Sequence, residues 1–183
     1  VLSPDLIGSG DLKPQKSKTF HALLVGKSLV GVQAGDVVRI IKYLKTREDI
    51  KDNILGIAWG TMCPVMLHAA VFTDTIKEVM LTEPLISYRS LVMNRYYDLD
   101  NPRIMIPHIL DSYDVPDLAA SLAPRKLTMI NLKNQLGNPV RDKLKEEELA
   151  LVYRAYQQKD VKNNFRVIET EERPDFEKYL TEF

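Results

Sequence analysis

The chain has 183 residues, enough for one domain that buries roughly 70% of its unfolded surface. Lys plus Arg number 25 and Asp plus Glu number 25, a net charge of zero that argues against a nucleic-acid or anionic-membrane footprint. A single cysteine, Cys63, excludes an internal disulfide, and scattered His21, His68 and His108 add no zinc-ligand spacing, so no metal and no cofactor are expected.

No apolar run approaches the ~20 residues that cross a bilayer, and the N-terminus lacks the order of a signal peptide, so the chain is expected to be soluble. It opens on Val1-Leu2-Ser3-Pro4, as if inside a strand, which suggests a processed or truncated piece.

Val1 to Leu6 reads as a short strand with Asp5 at its end, and Gly8-Ser9-Gly10 as the loop that leaves it. From Ser28 to Leu44, Val30, Ala34, Val37, Val38, Ile41 and Leu44 recur on one helical face. Lys45 to Asn53 is a charged connection. Ile54 to Ala58 is a continuous apolar run, the pattern of a buried central strand in a parallel sheet. Thr61 can cap the following helix and Pro64 fits its first turn, with Met62, Val65, Met66, Ala69 and Ala70 as the apolar stripe.

Ile76 to Thr82 is the next strand, closed by Glu83-Pro84. Pro102, Pro107, Pro116 and Pro124 punctuate an irregular stretch from Leu85 to Pro124, within which Val115 to Leu122 is helical. An excursion of this kind often covers a site. Lys126 to Leu132 reads as a strand and Asn134-Gln135-Leu136-Gly137 as its exit loop. Asp142 to Gln158 is a helix with Leu144, Leu151, Val152 and Ala155 inward, and its run from Lys143 to Glu148 is a solvated face. Phe165 to Ile168 is a last strand, and Pro174 to Phe183 a short helix with Phe176, Tyr179, Leu180 and Phe183 on one face. Strands alternating with helices predict an α/β fold, a mostly parallel sheet covered on both sides, in a single domain over residues 1–183.

The organising stretch is Gly56-Ile57-Ala58-Trp59-Gly60, an apolar strand that turns into a helix through Gly-x-Ala-x-Gly, the layout of a nucleophile elbow with alanine at the reactive position. With it stand Gly26-Lys27-Ser28-Leu29-Val30-Gly31, Ala34-Gly35-Asp36-Val37, Glu83-Pro84-Leu85-Ile86-Ser87-Tyr88, and the segment from Tyr113-Asp114-Val115-Pro116 to Ala123-Pro124-Arg125. In order and spacing these resemble the C-terminal half of an α/β-hydrolase. The chain is most similar in these motifs to acetyl xylan esterases, cephalosporin C deacetylases and esterase-like proteins of gut bacterial polysaccharide utilisation. The resemblance covers most of residues 1 to 140 and implies a partial α/β-hydrolase fold lacking its N-terminal strands.

In that family a serine attacks the ester, a histidine takes its proton and an aspartate orients the histidine. By position the serine falls on Ala58, the acid on Asn134, and the histidine just beyond Ile168, where Glu169-Thr170-Glu171-Glu172 stands. An arginine of the loop after the first strand is replaced by Ile7. One change could be an engineered serine-to-alanine trap; three could not. Because triad members act as a unit, the resemblance implies a catalytically silent homologue, the alternative being an active carbohydrate esterase that uses other groups.

Glu83, at the end of the strand after the elbow, is an alternative acid position in this family. Trp59, Tyr88 and His108 are candidate cleft residues, able to stack on or bond to an acylated carbohydrate or small ester. Cys63 reads as a small buried residue, His68 as a core or helix-face residue, and His21 as structural. The family resemblance implies a secreted or periplasmic location. Ala58 is expected in a strained turn after a central strand; a mid-helix or sheet-edge position would overturn the family assignment. A missing neighbouring strand predicts an open edge, and with it self-association or continuation into a longer polypeptide.

Overall fold

A computed structural model describes residues 1–12, 18–50, 53–98 and 100–171. Its elements in order are α1 (Lys18–Leu24), α2 (Leu29–Leu44), β1 (Ile54–Trp59), α3 (Cys63–Val71), β2 (Ile76–Thr82), α4 (Tyr88–Val92), α5 (Val115–Ser121), β3 (Lys126–Ile130), α6 (Asp142–Gln158) and β4 (Phe165–Ile168). The four strands pair in parallel in the order β1-β2-β3-β4, so each pair is joined by a helical crossover, as the alternating pattern predicts. This is an α/β fold.

Side-chain alternation splits the sheet into two faces. Val79, Leu81, Leu127 and Met129 join the continuous core with Val65, Ala69, Leu118 and Val152 from the helices. Met80 and Ile130 point to the opposite face and are equally buried, so solvent is excluded from both sides of the sheet's centre. At Gly56 the helix layer comes so close that an added Cβ would lie 2.6 Å from Met66 Sδ. That close approach is why glycine stands in an otherwise apolar strand.

α2 forms where its periodicity predicts: Ser28 caps it by accepting from Gly31 N–H at 3.0 Å, and Val30, Ala34, Val37 and Ile41 are buried. Pro64 lies in the first turn of α3 as expected. Arg125 fastens the other end of that helix to the sheet. Its Nη1 donates to the carbonyls of Ala70, Thr73 and Ile76 at 2.8, 3.0 and 3.0 Å, fixing the connection from α3 into β2.

Five expectations are corrected. Val1 to Leu6 is not a strand: Ser9 Oγ bonds both the N–H and the carbonyl of Leu6, and Gln33 Nε2 donates to Ile7 O. Side chains therefore occupy backbone groups that a ladder would need. The strand at Ile54 is an edge and not the centre, because among the described residues no other strand pairs with its outer side. Thr61 does not cap α3; it lies within a 3-10 turn, Gly60–Met62, that precedes the helix. In α6 the buried face is Leu149, Val152 and Tyr156, while Leu151 is exposed, since the helix seats Tyr156 against Phe165. β3 stops at Ile130, where Asn131 turns left-handed at φ +54°. The helix expected at Pro174 to Phe183 lies outside the described residues.

Candidate functional site

In parallel α/β sheets ligands bind beyond the carboxyl ends of the strands, and there the chain concentrates its unusual backbone. Glu83 follows β2 at φ +53° and Asn131 follows β3 at φ +54°, both left-handed without being glycine. Such conformations cost about 1 kcal/mol or more and persist where surroundings hold them. Glu83 N–H donates to Ile130 O at 2.7 Å, and Lys133 N–H to Pro84 O at 2.9 Å, so the two strand exits are stitched together.

This stitching gathers three side chains. Trp59 ends β1 and donates its indole N–H to Glu83 Oε2 at 2.7 Å, while Lys133 Nζ lies 3.3 Å from Glu83 Oε1. Each carboxylate oxygen thus faces one donor. The indole remains 37% exposed and the Glu83 and Lys133 side chains are partly exposed, so the cluster is open to solvent. An indole face beside a fixed carboxylate and an ammonium offers one apolar surface, one acceptor and one donor group. Lys133 carries no motif in the sequence; only the pairing of the strand exits brings it here.

The three positions that the family resemblance assigns to a hydrolytic triad are engaged otherwise. Ala58 is 7% exposed and lies within β1, opposite Leu81. It does not occupy a strained turn. The left-handed residue at the strand-to-helix crossing is Gly60, φ +53°, because glycine adopts it without a Cβ penalty. Asn134 turns its amide onto its own loop, where Oδ1 accepts from the N–H groups of Leu136 and Asn138 at 2.9 and 3.1 Å. Beyond Ile168, Glu169 pairs with Lys145, and Thr170 is held by Asn131, whose Nδ2 donates to Thr170 O at 3.0 Å while Oδ1 accepts from Thr170 N–H at 2.9 Å. Glu172 lies outside the described residues.

The remaining candidates fall elsewhere. Tyr88 is buried and does not line an open cleft; burial pushes its phenol up, and its hydroxyl has no hydrogen-bond partner among the described residues. The reason is Asp114, whose Oδ1 accepts from Tyr88 N–H at 2.5 Å and Oδ2 from Arg89 N–H at 3.0 Å, drawing the start of α4 inward. The same carboxylate caps α5 in a reciprocal box with Asp117. His108 stands exposed at φ +60° beside Asp111 Oδ2 at 3.1 Å, and no hydrogen bond or ion pair joins it to Glu83 among the described residues. His68 is buried, with Nδ1 donating to Pro64 O at 2.6 Å and Nε2 3.1 Å from the Tyr113 hydroxyl. Burial lowers its proton affinity. Cys63 is buried, its thiol 3.3 Å from Thr82 O, and burial pushes it far above the range of a reactive thiol. No set of three or more metal-binding side chains occurs among the described residues.

No protein-family model matches the chain, and no curated protein matches it. The fold defines the chain as an α/β protein built on a four-stranded parallel sheet with helical crossovers. A solved structure similar in fold is that of a Bacteroides fragilis protein described as a "putative acetyl xylan esterase", similar over 91% of this chain at 16% identity and a TM-score of 0.71. The chain spans 46% of that protein's length. Ala58 lies on an edge strand among the described residues, the outcome set above against the family assignment, and the likeness to this structure is one of fold.

Proposed function

We propose that the chain is a non-hydrolysing, esterase-like protein that binds an acylated carbohydrate at the Trp59–Glu83–Lys133 cluster. One observation carries the loss of hydrolysis: each group at a triad position is consumed by structure, the Ala58 methyl in β1, the Asn134 amide in its turn and Glu169 in its pair with Lys145. A carbonyl attack needs a nucleophile and a base within hydrogen-bond reach, and these positions supply neither.

The cluster supports the binding half of the reading. A sugar presents a C–H face to an indole and hydroxyls to a carboxylate and an ammonium, the three surfaces found together here. Trp59 is the only tryptophan, so its fluorescence reports on this site alone. Titration with an acetylated xylo-oligosaccharide is expected to give a saturable change in Trp59 emission that Glu83→Gln abolishes. A flat titration would remove the carbohydrate from the reading.

A second reading, an active carbohydrate esterase built on other groups, is favoured only by the left-handed backbone of Glu83, since strain of this kind clusters at reactive sites. Glu83 would then be a base, and its variant would abolish turnover as well as binding.

A further inference from the structure

Right-handed crossovers between sheet neighbours place α3, α5 and α6 on one face of the sheet, and α2 packs against α3 in the same layer. The second face has no such layer among the described residues. Its rows follow from the register: Trp59, Thr82, Ile130 and Ile168 at the strand exits, Ile57, Met80, Thr128 and Arg166 below them, and Leu55, Glu78 and Lys126 at the foot. None of Leu55, Ile57, Met80, Ile130 and Ile168 belongs to the core that the helices build, yet Met80 and Ile130 are 2% and 0% exposed.

Parallel sheets occur with both faces covered, so this one needs an occupant, and the path of the chain selects it. β4 ends at Ile168, and the two hydrogen bonds between Asn131 and Thr170 bring the chain back beside the exit of β3. It therefore leaves the sheet at the upper row of the bare face. Residues 174–183, outside the described ones, follow shortly after, with Phe176, Tyr179, Leu180 and Phe183 spaced for one side of a helix. Ten helical residues rise about 15 Å, and three rows set two residues apart extend about 13 Å. Charge agrees as well. Asp175, Glu177 and Glu182 outnumber Lys178 in the segment, while Lys126 and Arg166 outnumber Glu78 on the face.

We propose that residues 174–183 are the cover of this second face, a strap whose apolar side lies on Ile57, Met80, Ile130 and Ile168 and reaches the row that holds Trp59. The proposal does not depend on what the Trp59–Glu83–Lys133 cluster binds.

The test compares the full chain with Leu180→Ser, on the contact side of the strap, and Lys178→Gln, on its opposite side. Urea unfolding is read beside the emission of Trp59, the only tryptophan. Leu180→Ser is expected to lower the unfolding midpoint by about 0.5 M or more and to shift Trp59 emission to longer wavelength, while Lys178→Gln changes neither. If the serine variant does not fold, Leu180→Ala is read in the same way. An unchanged midpoint and emission would overturn the proposal, and so would a lower midpoint with unchanged emission, since the segment would then pack elsewhere. A parent dimer in light scattering that Ile57→Ser abolishes and Leu180→Ser leaves intact would also overturn it, because the face would then belong to a second copy.

Discussion

Trp59 and Glu83 are tied by an indole N–H···Oε2 bond of 2.7 Å that joins the exits of neighbouring strands. The bond is charge-assisted and partly exposed, so Trp59→Phe is expected to lower stability by about 1 kcal/mol. Urea unfolding followed by circular dichroism measures it. An unchanged midpoint would mean that the bond positions Glu83 without holding the fold.

Arg125 satisfies three carbonyls at once, those of Ala70, Thr73 and Ile76. Arg125→Met leaves them without their donor and is expected to cost about 2 to 3 kcal/mol, the scale of a lost charged hydrogen-bonding group. All three bonds leave the single nitrogen Nη1, so Arg125→Lys, whose ammonium also carries its donors on one nitrogen, should recover part of that loss in the same unfolding experiment.

Ala58→Ser is expected to show no burst of acylation with p-nitrophenyl acetate. The hydroxyl would enter a buried strand position opposite Leu81, with no base in reach, and its burial should cost about 1 kcal/mol. A measurable burst would reveal a hidden base.

Burial holds the proton affinity of His68 below its ordinary 6.5. Below that value the unfolded chain takes up the proton while the folded chain resists it, so stability falls as pH falls below about 6.5. His68→Gln should flatten this part of the profile. A parent profile that is already flat there would contradict a neutral, buried His68.

The outer side of β1 carries no strand among the described residues, and Ile54–Trp59 contains no charge to deter pairing. Self-association through this edge is therefore expected, and Leu55→Lys should reduce it. A parent that stays monomeric in light scattering at high concentration would show that the edge is closed within the chain.

What the sequence made legible was periodic or local. Ser28 and a 3.6-residue repeat define α2, and alternating helices and apolar runs define the parallel sheet. The edge position of β1 was not legible, because an apolar hexapeptide does not encode how many neighbours it has. The strand expected at Val1 to Leu6 failed for a similar reason: Ser9 takes the backbone groups of Leu6, and Gln33, distant in sequence, takes the carbonyl of the next residue, Ile7. At the candidate site, Glu83 and Trp59 were visible as strand-end residues, whereas Lys133 joins them only through the pairing of two loops, and Tyr88 is withdrawn by a carboxylate from another segment.

The proposal that the chain does not hydrolyse esters is tested most directly by the initial rate of p-nitrophenyl acetate cleavage near neutral pH, measured for the folded chain and the same chain unfolded in urea at matched reagent concentration. The account predicts equal rates, with the folded chain adding nothing beyond the scattered nucleophiles of its surface. Turnover by the folded chain well above the unfolded control, and removed by Glu83→Gln, would contradict it and make the strand-end cluster an active centre.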